Sequence, residues 1–172
     1  IEVHKLNFHY TLSQKRALFR NKEISASPIL RDINFQLPQG AHVTLFGKEA
    51  TGKTTLLNLL SGKLKPSQGY VRINGKKPEL IKDASSGYVS ATKISNQKET
   101  CSEILLAHAK TQPIPDPASR VSFISDLLKL TSFVHRSPDT LSTTQQIRMN
   151  IARAAICDTP LVLFDNITDH FR

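Results

Sequence analysis

No run of apolar residues in this sequence approaches the length of a membrane-spanning helix, and its first residues carry no signal-peptide pattern. Cysteine is scarce. Cys101 and Cys157 stand far apart, without the paired spacing of a zinc site, and are expected to be reduced, buried thiols of a cytosolic protein. The histidines (His4, His9, His42, His108, His135 and His170) are scattered and form no helical i, i+4 pair, so none is assigned to a metal. Internal repeats and low-complexity tracts are absent. No aromatic residues interleave regularly with the basic ones, so a nucleic-acid surface gains little support.

What remains is ordinary in kind. The 172 residues, 39% hydrophobic and 22% charged, suffice for one domain with a core that needs no disulfide or metal. The net charge of +9 has two readings, a solvated coat of Lys and Arg or an anionic partner such as nucleotide, lipid headgroups or nucleic acid. One basic cluster, Lys15, Arg16, Arg20 and Lys22, falls in a polar loop over 11–27. The chain begins with Ile rather than Met, as expected of a processed chain or a piece of a longer one.

Ile1, Val3, Leu6, Phe8 and Tyr10 read as an edge strand with loose alternation, and Ile29 to Leu37 as a second strand ended by Pro38-Gln39-Gly40. Ala41 to Phe46 is a short apolar run of the kind expected in a buried parallel strand. Lys53 to Ser61 is a helix stopped at Gly62, and Tyr70 to Ile73 with Asn74-Gly75 signals a hairpin. Gly87 to Ser90 is a short strand. Helices are expected over Glu99 to Lys110, Ala118 to Leu130 and Thr144 to Cys157, the first two separated by Pro113, Pro115 and Pro117. Leu161 to Asp165 is again a buried strand, ending in an acid. Strands alternating with helices imply an α/β fold with a parallel sheet.

The segment Gly47-Lys48-Glu49-Ala50-Thr51-Gly52-Lys53-Thr54 fits G-x-x-x-x-G-K-[ST], with Thr55 next. Its glycines let backbone N–H groups close around phosphate oxygens, while the following helix aims its positive end at them. Lys53 is placed to reach the β- and γ-phosphates and Thr54 to ligate Mg²⁺. The strand before it and the helix after it are the context that separates this pattern from chance. Asp165 is a second element, a carboxylate of the kind that holds the Mg²⁺ shell in phosphate-loop proteins. Many buried strands end in Asp, so its weight comes from the pairing with the loop.

Leu141-Ser142-Thr143-Thr144-Gln145-Gln146-Ile147-Arg148, followed by Ile151-Ala152-Arg153-Ala154, resembles the signature L-S-G-G-Q-x-x-R and its helix in ATP-binding domains of ABC transporters. A Ser/Thr-capped amphipathic helix would explain the cap, but not the offset to Asp165, which the family pattern requires. The resemblance extends over nearly the whole chain. It implies a P-loop NTPase fold of ABC type, in which a parallel sheet carries an antiparallel N-terminal β-subdomain and a helical subdomain. Residues 1–172 would form one such domain, incomplete at its C-terminus, with the helical subdomain at about 99–142.

By this resemblance Tyr10 stacks on adenine, although an edge-strand tyrosine reads equally well. Ser142, Thr143, Thr144 and Gln145 contact the ATP of a second ABC-type domain in a head-to-tail pair. A transmembrane transporter subunit or domain is the further partner, and the location is cytoplasmic, on the peripheral face of a membrane.

The pattern also breaks. Asn166 stands where the family has a water-activating Glu, and an amide cannot take up a proton, so general-base assistance worth about 10²–10⁴-fold is lost. Ala91 replaces the glutamine expected after Gly87-Tyr88-Val89-Ser90. Thr143 and Thr144 replace glycines and place a Cβ near the γ-phosphate position. The histidine switch is absent, His170 lies too early to serve, and the closing residues match the D-loop poorly. In related folds the strand following this Asp inserts beside the phosphate-loop strand; without it the sheet has a hole. The expectation is an ATP-Mg²⁺-binding transporter domain with impaired hydrolysis. The alternatives are a non-transport ABC protein acting on nucleic acid or ribosomes, and a regulatory interaction module without turnover.

Overall fold

The computed structural model describes residues 1–10, 28–81, 87–90, 94, 98–157 and 159–167. The basic segment 11–27, Ala91 and the closing residues with His170 lie outside them. The chain forms two compact units, Ile1–Lys82 and Asp83–Arg172.

The first unit is built on strands β1 (Glu2–Phe8), β2 (Leu30–Gln36) and β3 (Gln68–Arg72), antiparallel in the order β2-β1-β3. The N-terminal strand, expected at an edge, is therefore the central one. Its alternation is loose because the ladder steps around Lys5, between Val3 and Leu6 toward β2 and between His4 and Asn7 toward β3. Lys5 sits at φ 44°, and the bulge resets the two-residue period so that Val3, Leu6 and Phe8 are all buried. Asparagine side chains take up the irregular backbone donors: Lys5 N–H donates to Asn34 Oδ1 at 2.7 Å and Asp32 N–H to Asn7 Oδ1 at 3.0 Å. Gly69 rests on the same bulge at φ 78°, where a Cβ would lie 2.2 Å from the Lys5 carbonyl oxygen.

Helix α1 (Lys53–Leu60) buries Leu56, Leu57, Leu59 and Leu60, and the chain leaves it through Gly62 in the left-handed region. Asn74 and Gly75 both have positive φ, and Ile73 and Lys76 exchange hydrogen bonds of 2.8 and 3.0 Å across them. The returning arm then enters a 3₁₀ turn at Pro78–Leu80, so the expected hairpin closes with a single bridge.

Residues 41–46 depart from expectation. They form no strand, every one of them is exposed, and Phe46 is 91% accessible. A buried parallel strand requires neighbours to accept its ladder and cover its faces, and among the described residues no strand pairs with this run.

The second unit holds a parallel pair, β4 (Tyr88–Ser90) and β5 (Leu163–Asp165), with Tyr88 opposite Leu163 and Ser90 opposite Asp165. Leu163 is buried, but Val162 and Phe164 are about half exposed, so this run is covered on one face rather than the expected two. Helices α2 (Cys101–Lys110), α3 (Pro117–Leu127) and α4 (Thr143–Ile156) supply the core. Cys101, Leu105 and Ala109 repeat every four residues on α2. Met149, Ala152 and Ile156 follow at helical spacing on α4, packed with Val121, Ile124 and Leu130.

Each of these helices is capped. Thr100 and Glu103 form a reciprocal capping box, which holds the Glu103 carboxyl below its ordinary range, and Asp116 caps α3 ahead of Pro117. Lys129 at φ 54° ends α3, three residues ahead of expectation at that helix's C-terminus, and Leu130 N–H reaches back to the Ser125 carbonyl. Both cysteines are free thiols and buried; burial pushes the Cys101 thiol up, and Cys157 Sγ lies 3.1 Å from His108 Nε2. Among the described residues no helix is long and apolar enough to cross a membrane.

Candidate functional site

In the first unit the glycine-rich segment runs into α1 through two left-handed residues, Ala50 at φ 60° and Gly52 at φ 90°. Gly52 is the N-cap, and its bare Cα is needed twice over. Its φ disfavours a side chain, and a Cβ would stand 2.9 Å from Leu30 Cδ2. At Gly47 a Cβ would meet Thr51 Oγ1 at 2.9 Å, so a side chain there would fill the loop itself. The loop is closed by its own polar groups. Thr51 Oγ1 donates to the Lys48 carbonyl at 2.9 Å, and Lys53 Nζ donates to the carbonyls of Gly47 at 2.8 Å and Lys48 at 2.7 Å.

The start of α1 has no side-chain cap and no acidic residue in its first turn. Neither a capping side chain nor a carboxylate offsets its positive dipole end, which favours an anion there. Lys48, Glu49, Ala50, Thr51 and Thr54 are exposed, whereas Thr55 is buried and faces the interior of the unit. Tyr10 lies in the same unit, partly exposed, with its ring edge-on to Phe8 at 4.9 Å.

In the second unit β5 delivers Asp165 beside the end of β4. Tyr88 Oη donates to Asp165 Oδ2 at 2.5 Å, and burial together with that carboxylate pushes the phenol pKa well above its ordinary value. Asn166 follows immediately, exposed, at φ 52°. Ser142 and Gln145 form a capping box on α4: Ser142 Oγ accepts from Gln145 N–H at 3.3 Å and Gln145 Oε1 from Ser142 N–H at 2.9 Å. Thr143 and Thr144 open the helix, Thr143 exposed and Thr144 half-buried.

Three residues of this unit were not singled out from the sequence. Tyr88 holds Asp165. Gln146, buried, accepts from Ile94 N–H at 3.1 Å and donates to the Pro138 carbonyl. Asn150 donates to the Ser90 carbonyl at 3.0 Å, tying α4 to the end of β4. Gln146 lies one turn before Met149 on the apolar stripe of α4, and a glutamine on a buried stripe was the available signal.

Among the described residues no cluster of three or more His, Cys, Asp or Glu could enclose a metal. Thr54 and Asp165 are hard oxygen donors suited to Mg²⁺. That ion commonly takes only one or two protein oxygens and fills its remaining positions with phosphates and water.

A glycine loop feeding an uncapped helix, in a mixed α/β chain with an aspartate closing a parallel strand, defines a phosphate-loop NTPase fold. Comparison with known proteins narrows this. The family model described as ABC transporter matches residues 30–169, and the chain belongs to that family, in its ATP-binding part. It is 28% identical over 179 aligned positions to the ABC transporter ATP-binding protein YtrE of Bacillus subtilis, covering 98% of this chain and 74% of that one. It is 26% identical to the energy-coupling factor transporter ATP-binding protein EcfA1 of Mycoplasmopsis pulmonis, over 90% of this chain and 60% of the relative. Of other curated relatives it spans as little as 27% or 28% of the length. A dimeric bacterial ABC transporter cassette superposes with a TM-score of 0.80 at 21% identity, covering 99% of this chain and 75% of that cassette, a likeness of fold.

Proposed function

We propose that this chain binds ATP with Mg²⁺ as the nucleotide-binding domain of an ABC transporter, and that it turns ATP over slowly or not at all. The observation that carries the reading is the Gly47–Thr54 loop, which runs through left-handed Ala50 and Gly52 into α1, a helix whose start has neither a side-chain cap nor a first-turn acid. Lys53, now resting on the Gly47 and Lys48 carbonyls, exchanges them for β- and γ-phosphate oxygens. Mg²⁺, when bound, would neutralise phosphate charge; Thr54 of the first unit and Asp165 of the second each offer a hard oxygen donor for it. Tyr10, 41% exposed, is the aromatic residue that would stack on adenine.

Slow turnover follows from Asn166, which orients water without accepting its proton. The exposed start of α4 supports a head-to-tail pairing in which Ser142 and Thr143 meet the nucleotide of a second ABC-type domain. The names of its relatives support a membrane-embedded transport partner and a place on the cytoplasmic face of a membrane.

Calorimetric titration of the full chain with ATP-Mg²⁺, beside Lys53→Ala, tests the reading. We expect binding in the native chain and a loss of about 10–100-fold in the variant, the scale of one or two charge-assisted hydrogen bonds. Equal affinity in the two proteins would overturn the assignment, and fast phosphate release by the native chain alone would overturn the slow turnover.

A further inference from the structure

We propose that Tyr88 is the positioning residue of the Asp165 carboxylate, and that its hydroxyl sets how tightly the chain takes up Mg²⁺ with nucleotide. The inference rests on the reading of Asp165 as the Mg²⁺ carboxylate and adds a residue to it.

The register makes the contact. Ser90 stands opposite Asp165 across the parallel pair, and Tyr88, two residues earlier, projects from the same face of β4. A long side chain is therefore needed to span the diagonal to the carboxylate. A tyrosine meets that requirement with a donor at its tip, and its hydroxyl reaches Asp165 Oδ2 at 2.5 Å, the short end of the charge-assisted O–H···O⁻ range. Phenylalanine would fill the same space without the donor.

The hydrogen bond fixes the χ angles of Asp165, so the carboxylate is presented in one orientation and less side-chain freedom is lost when a cation arrives. Asp165 ends β5, and the following residue, Asn166, leaves the strand at positive φ. The aspartate thus has a regular strand on one side only. A side-chain brace from β4 supplies the restraint that a continuing strand would otherwise give. Loss of such an outer contact commonly weakens metal binding by about 10–100-fold.

Tyr88→Phe in the full chain is the test, read by nucleotide titrations over a series of MgCl₂ concentrations and in EDTA, with a thermal melt of each protein. The expected result is a half-saturating Mg²⁺ concentration raised about 10–100-fold, with metal-free nucleotide affinity unchanged. Because Tyr88 acts through Asp165, adding Tyr88→Phe to Asp165→Asn should change the Mg²⁺ dependence no further. A Tyr88→Phe protein that keeps the native Mg²⁺ dependence overturns the proposal, whether or not it melts lower, since the tyrosine is then only a brace between strands. A native chain that binds nucleotide without any Mg²⁺ dependence removes the role of Asp165 as well. The two failures are told apart by the native titration alone.

Discussion

Among the described residues, the starts of α1 to α4 differ between the two units. In the second unit Thr100, Asp116 and Ser142 each turn a side-chain oxygen onto the first turn of their helix. In the first unit α1 begins at Gly52 with no side chain to do so and no acid in its first turn. A capping side chain answers a first-turn donor from within the chain; a start without one leaves that role to water, backbone or a ligand. The second unit therefore caps its helices from within, while the first leaves the positive end of α1 without a side-chain cap. The same contrast runs through the two apolar runs that read alike. Leu163 to Asp165 pairs with β4, whereas residues 41–46 have no ladder among the described residues and expose Phe46. Composition proposes a parallel strand, but neighbours make it.

The widest difference is expected from matched truncations in those runs. Leu163→Ala removes a buried side chain and should cost about 2–5 kcal/mol. Phe46→Ser acts on an exposed side chain and should stay within about 0.5 kcal/mol. Denaturant melts of both variants measure this; similar losses would mean that 41–46 is covered as fully as β5.

A second variant separates stability from ligand binding at α1. Thr54→Glu places a carboxylate in the uncapped first turn, where it should stabilise the helix by about 0.3–1 kcal/mol. The same charge should oppose phosphate, since like charges about 4 Å apart at an effective dielectric of about 20 repel by about 4 kcal/mol. The expected outcome is a melting temperature that holds or rises while ATP affinity falls at least about tenfold in titration. A fall in both would show that the first turn already has its partner.

The smallest effect belongs to the capped side of the comparison. Ser142→Ala should cost about 1 kcal/mol, the usual loss of an N-cap, and Ser142→Asp should restore it. Chemical denaturation followed by circular dichroism reads both. Unchanged stability in the alanine variant would mean that Gln145 and backbone geometry hold the start of α4 unaided.

Much of this was legible in the chain. The helices fell close to their expected places because each announces itself locally, through leucines at 56, 57, 59 and 60 or through Thr100 and Glu103 bracketing a turn. The phosphate loop was legible for the same reason, as its geometry is carried by Gly47 and Gly52 within a few residues. The N-terminal strand was misplaced at an edge because its loose alternation is a bulge at Lys5. That bulge is completed by Asn34 and Gly69, residues remote in sequence.

The sequence by itself determined the local elements: the helix periods, the caps and the glycine loop that leads into α1. Tertiary structure decided which strands have partners, and so why Val3, Leu6 and Phe8 share one face while 41–46 remains exposed. It also decided that Asp165 is held by Tyr88 and that Gln146 clasps the backbone at Ile94 and Pro138. The physical reason is the range of the interactions. Helix hydrogen bonds close within one turn and can be read from a short window. Ladders and buried side-chain contacts close only between distant segments, and their partners are known once the chain has folded.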